Sequence, residues 1–216
     1  MKKQVVALAG LILAVGQIGC SVFGVRTVDE PEYNILESVE SAPIEVREYS
    51  EIIVARTTVD ANYDDASTVA FRRLFRYISG ENTVGGKIAM TAPVETSRRS
   101  KSGEKIAMTA PVFQDATEER WTMAFVMPAK YTMDDVPRPT NPDVEVALLP
   151  PRRVAVLTFN GRYDDETFAS QSAKLESWVR DRGLEPTSSP RLAGYDPPYT
   201  LPFLRRNEVH IDVRER

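Results

Sequence analysis

The sequence predicts an α+β fold: a distorted antiparallel β-barrel carrying two helices, with its two halves related by a pseudo-two-fold. Two observations carry this expectation. Ile44–Ala55 lines up with Val144–Ala155 at a shift of 100 positions, and the register holds through Tyr63-Asp64-Asp65 and Tyr163-Asp164-Asp165. Each copy then enters a stretch of helical period, 64–79 and 164–183, that stops at Gly80 or Gly183, as helix ends tend to do. Halves that each supply strands and one helix, with one small core between them, suggest a sheet curled towards a barrel with both helices packed on it.

The chain opens on an address. Lys2 and Lys3 precede an uncharged, mostly apolar stretch from Val5 to Ile18, the pattern of a secretory signal. The sole cysteine ends that stretch in Ile18-Gly19-Cys20-Ser21, which resembles a bacterial lipobox. Residues 1–19 are therefore expected to be a cleaved signal peptide, Cys20 the lipidated first residue, and 20–30 a tether to a single domain over 31–216. The alternative is an uncleaved anchor, because the uncharged run continues to Val25 and is long enough to span a bilayer. Either reading places the domain in the cell envelope, membrane-anchored and facing the periplasm or exterior.

Within the domain, 44–49, 52–59, 144–149 and 153–159 are rich in Val, Ile and Thr and read as strands, as does Trp121–Met127. Asp64-Asp65 and Asp164-Asp165 open the two helices, where carboxylates cap free N–H groups and favour the helix dipole. Lys87–Val94 recurs unchanged as Lys105–Val112, and its alternation predicts two strands of a wide antiparallel hairpin. Pro137, Pro139, Pro142, Pro150 and Pro151 stiffen the crossover between the halves, about 44–135 and 144–216.

Composition narrows the function classes. With 216 residues, 42% hydrophobic and 27% charged, the chain fits an ordinary globular core. Lys+Arg 27 against Asp+Glu 31 gives a net charge of −4, which offers no electrostatic reason to bind nucleic acid. One Cys and one His remove Cys/His zinc sites, CxxC redox chemistry and Cys/His dyads. There is no G-x-S-x-G, HExxH or phosphate-cradling glycine loop, so the sequence reads as a binding protein without catalytic residues.

The paired Ile-x-Met-Thr-x-Pro-Val segments, the Tyr-Asp-Asp entry to each helix, Gly194-Tyr195-Asp196-Pro197-Pro198 and Arg205-Arg206-Asn207-Glu208-Val209 together resemble the SOUL haem-binding protein family over roughly residues 31–214. The resemblance implies a distorted barrel with two helices and a pseudo-two-fold, and haem or another porphyrin as ligand; a membrane-tethered protein that binds it reversibly for buffering, delivery or sequestration is the function expected here. The same architecture recurs in bacterial effector-binding domains, so another bulky apolar ligand is an alternative. An envelope protein-interaction module with no small-molecule ligand is the other.

Haem presents a flat apolar face and two propionates, so its site needs an apolar platform beside cations. Phe71 and Phe75 are spaced i, i+4, and Arg72 and Arg76 repeat that spacing one residue on, so an aromatic and a guanidinium ridge run side by side. Ala66, Val69, Ala70, Leu74, Tyr77 and Ile78 form a separate stripe that can face the sheet. The resemblance implies apolar and basic positions on this helix, here Phe71, Phe75 and Arg76, together with Tyr195 in the Tyr-Asp-Pro-Pro loop. A position that is basic in some relatives is Thr68 here. His210, between Glu208 and Asp212 on an alternating strand, reads as part of a solvated acidic face rather than an axial ligand. The strand methionines read as core filling, so haem is expected without a strong axial ligand and no metal site is expected.

Overall fold

The computed structural model describes residues 28–60, 63–83, 103–116, 120–162, 164–196 and 199–215. The signal, Cys20, the Lys87–Val94 copy, Tyr163 and Pro197-Pro198 lie outside these residues. In chain order the elements are β1 (Tyr33–Ser38), β2 (Ile44–Tyr49), β3 (Ile52–Val59), α1 (Tyr63–Ile78), β4 (Asn82–Thr83), β5 (Val112–Ala116), β6 (Trp121–Val126) and β7 (Arg138–Pro139), then β8 (Glu145–Leu149), β9 (Arg152–Asn160), α2 (Asp165–Asp181), β10 (Leu184–Pro186), β11 (Arg191–Gly194) and β12 (Arg206–Glu215). Gly80 and Gly183 follow the helices at φ 117° and 72°, the left-handed conformation in which a side chain is strained. Asp164 caps α2, its carboxylate accepting from the Thr167 N–H at 2.8 Å.

One antiparallel sheet runs β1-β2-β9-β12-β11-β5-β6-β3-β8, with β10 beside the end of β12. From β2 to β8 this order is a palindrome about the β11–β5 pair: β2 answers β8, β9 answers β3, and β12 answers β6. Each half lends its first strand to the other, since β2 pairs with β9 and β8 with β3. The two halves therefore cannot separate without opening the sheet.

Alternation on the strands builds two kinds of core. On the outer face α1 packs over β3 and β6, burying Ala66, Ala70, Leu74, Tyr77 and Ile78 against Ala55, Met123 and Phe125. There α2 buries Leu175 and Val179 against β9 and β12. On the inner face the sheet curls on itself, enclosing Val54, Phe113, Val126 and Tyr195 in one cluster and Tyr49, Val154 and Val156 in another.

The expectation that Lys105–Val112 forms a strand fails. Residues 103–111 are irregular, and only Val112 begins β5. Competing bonds tie this segment to the end of α1: Ile106 N–H donates to the Ile78 carbonyl at 2.7 Å, and Asn82 exchanges hydrogen bonds with the Glu104 backbone at 2.8 and 2.9 Å. Gly103 permits the approach, because a Cβ there would collide with the carbonyl oxygens of Gly80 and Asn82.

Candidate functional site

The helical spacing read from sequence places Phe71 and Phe75 on the outer side of α1, 44% and 47% exposed, while Leu74 on the same helix is fully buried. Their rings stack, with centroids 5.9 Å apart and planes 14° from parallel, and Phe71 also meets Phe125 edge-on at 5.7 Å. Arg72 and Arg76 flank the pair and are exposed. Arg72 has no ion-pair partner among the described residues, and Arg76 has only Glu81 at 3.8 Å. The third arginine of the helix, Arg73, is committed elsewhere: it pairs with Asp143 at 2.9 Å and reaches the Thr58 carbonyl. The outer side of α1 is thus an aromatic ledge about two rings long with two available guanidinium groups. Its chemistry suits a flat apolar ligand that carries anionic groups at its rim.

Tyr195 does not join this ledge. It lies on the inner face, 6% exposed, with its hydroxyl donating to Glu208 Oε2 at 2.7 Å and the Arg206 guanidinium 4.0 Å from its ring centroid. The five candidate positions therefore divide between two faces of the sheet.

Inside the curl lies a polar cluster that the sequence did not single out. Glu208, with no exposure, accepts from Arg47 (3.0 and 3.1 Å), Arg206 (2.7 Å) and Tyr195 (2.7 Å), and its Oε2 lies 2.7 Å from His210 Nε2. Burial opposes the charge on Glu208. The His210 hydrogen bond and the positive groups around it outweigh burial and hold the carboxyl well below its ordinary range. Burial and the Glu208 charge together push the Tyr195 hydroxyl up. At the matching positions of the other half the inner face carries Ala147, Thr122 and Ala124, so this architecture does not require a charged interior.

His210 departs from the solvated acidic face expected of it. It is 1% exposed, with Phe113 edge-on at 5.5 Å and Tyr49 at 6.3 Å. β12 is a central strand covered by α2 on one side, and the curl brings β5 and β2 over the other. The flanking acids are neutralised: Glu208 by Arg47 and Arg206, and Asp212 by Arg191 at 3.0 and 2.5 Å. The only signal in the sequence was Arg47 in phase with Tyr49 on an otherwise buried strand. Met123 and Met127 are buried in the α1 core as expected, whereas Met108 and Met133 are exposed.

The profile of the SOUL heme-binding protein family matches residues 28–212. Heme-binding protein 2 of Homo sapiens is 29% identical over 190 residues, covering 86% of each chain. Heme-binding protein 1 of Xenopus tropicalis is 27% identical over 195 residues, covering 90% of this chain and 96% of its own. Among solved structures the EcmrR C-terminal domain superposes with a TM-score of 0.55 at 15% identity, over 85% of this chain and 99% of that domain, a likeness of fold.

Proposed function

The chain belongs to the SOUL heme-binding protein family, and on that premise we propose that it binds haem or a related tetrapyrrole reversibly on the outer side of α1, while a lipid on Cys20 tethers it to a membrane of the cell envelope. The observation that carries this reading is the pair of stacked, half-exposed rings of Phe71 and Phe75 beside Arg72 and Arg76. Phe71 and Phe75 supply a platform for the macrocycle, and the two arginines supply charge-assisted hydrogen bonds to its propionates. When bound, the ligand brings its own redox and light-absorbing chemistry.

The only imidazole, on His210, lies in the inner cluster on the other side of the sheet, so this reading holds the macrocycle by stacking and charge without an imidazole ligand. Tyr195 belongs to the inner cluster and has no part in the contact. Such a platform suits exchange, meaning buffering, delivery or sequestration, better than permanent retention. Haem titration followed at the Soret band tests the proposal: Phe71→Ala with Phe75→Ala, and separately Arg72→Ala with Arg76→Ala, weaken binding while the fold is kept. Equal affinity in both double variants and the parent chain refutes it.

A further inference from the structure

A cleft of about 620 Å³ opens at one end of the curled sheet, between the β8–β9 turn (Leu149, Pro150, Pro151) and the ends of β11 and β12. That volume is in the range of small-molecule sites. Four guanidinium groups border it, and three have a carboxylate of their own. Arg153 holds Glu215 at 2.5 Å, Arg191 holds both oxygens of Asp212, and Arg214 holds Glu185 at 2.7 and 2.9 Å. Arg152 is different. Its nearest carboxylate oxygen, on Asp212, is 3.6 Å from Nε, beyond hydrogen-bond reach and already engaged by Arg191. Arg152 Nε and Nη1 are buried with no hydrogen-bond partner among the described residues, and the side chain is only 12% exposed.

Guanidinium donors at such low exposure are costly unless an acceptor compensates their desolvation. The pseudo-two-fold shows that the fold does not require them. The ladder registers put Ile52, Val126 and Phe113 at the positions matching Arg152, Asp212 and Arg191. At these three positions the other end of the sheet therefore carries apolar side chains. An arginine with orphaned donors, kept where its symmetry mate is isoleucine, is explained by an acceptor that arrives from the cleft.

We propose that this cleft binds a small organic acid, its carboxylate accepting from the Arg152 guanidinium and its apolar body lying along Leu149, Pro150, Pro151 and Val213. Among the described residues Arg152 is the one guanidinium around this mouth without a carboxylate in hydrogen-bond reach, which matches a ligand with one acceptor group. A second negative charge on the ligand would meet Glu48, Asp212 and Glu215 around the same mouth. The planar guanidinium fork suits a carboxylate in particular. The site is separate from the α1 ledge and stands or falls independently of haem binding.

The test is calorimetric titration of the full chain with octanoate, octanamide and inorganic phosphate, on the parent protein, Arg152→Ala and Arg152→Lys. The expected result is saturable octanoate binding, at least tenfold weaker binding of octanamide and of phosphate, and a tenfold or greater loss of octanoate affinity in Arg152→Ala. Arg152→Lys should fall between, because it keeps the charge and loses the fork; it also carries the test if Arg152→Ala does not fold. Haem titration should be unaffected in both variants. Equal binding of octanoate and octanamide, phosphate binding as tight as octanoate, or variants indistinguishable from the parent would each overturn the proposal.

Discussion

Arg47 and Glu208 face each other as a two-pronged ion pair, Nη1–Oε2 3.0 Å and Nη2–Oε1 3.1 Å, although β9 separates the strands that carry them. Both side chains are within 3% of complete burial. Removing one charge from such a pair leaves the other unpaired in a low-dielectric interior. Glu208→Gln, nearly the same shape, is expected to cost about 3–5 kcal/mol by denaturant unfolding. A cost under about 1 kcal/mol would mean that the pair is solvated and the interior is open.

Acidification is expected to weaken the fold in a way that His210 dominates first. Burial pushes the imidazole below its ordinary range, against the opposing hydrogen bond and charge of Glu208. The unfolded chain therefore takes up the proton first, at about pH 6.5. The contribution of His210 is complete above that pH and is lost as pH falls through the depressed folded value. His210→Gln should flatten the dependence of the denaturation midpoint on pH between about 7 and 5; an unchanged dependence would place the proton uptake elsewhere.

The two stripes of α1 should separate cleanly in stability. Leu74→Ala opens a hole in a fully buried position and is expected to cost about 2–5 kcal/mol. Phe75→Ala, at a half-exposed position, should stay within about 1 kcal/mol of the parent chain. Chemical unfolding of both variants checks the contrast, and equal costs would make Phe75 part of the core.

The N-terminal address is checked in cells. Cys20→Ser is expected to leave an unprocessed precursor of lower mobility and to abolish lipid labelling. Normal processing and membrane retention in that variant would remove the lipoprotein reading.

Both helices and the strands near 44–49, 52–59, 121–127, 144–149 and 153–159 followed from the sequence because period and punctuation are local properties, whereas β1, β10 and β11 did not. The repeat at a shift of 100 anticipated the pseudo-two-fold, and the separation of Leu74 from Phe71 and Phe75 anticipated which side of α1 is exposed. Two features were not legible. Alternation shows that Glu208, His210 and Asp212 share a face, but whether that face meets water depends on how far the sheet curls, and Phe113 and Tyr49 arrive over His210 from strands distant in sequence. The pattern of Lys105–Val112 is that of a strand, yet the Asn82 side chain and the Ile78 carbonyl engage the backbone of Glu104 and Ile106 instead. The exposed aromatic ledge of α1 was legible as a surplus of aromatic residues on a helix that already had an apolar stripe. The orphaned donors of Arg152 were not, since an arginine at a strand start gives no sign of what its neighbours have already engaged.

Haem titration of the full chain, read at the Soret band with the ledge and the inner cluster changed separately, decides which face of the sheet holds the ligand. Saturable binding by the parent protein is expected, with loss of about 1–3 kcal/mol of affinity when Arg72 and Arg76 are both changed to Ala, and a Soret position and affinity in His210→Gln close to the parent values. Loss of the Soret shift in His210→Gln, with the arginine double variant binding as the parent does, would contradict this reading and move the ligand to the inner face of the sheet.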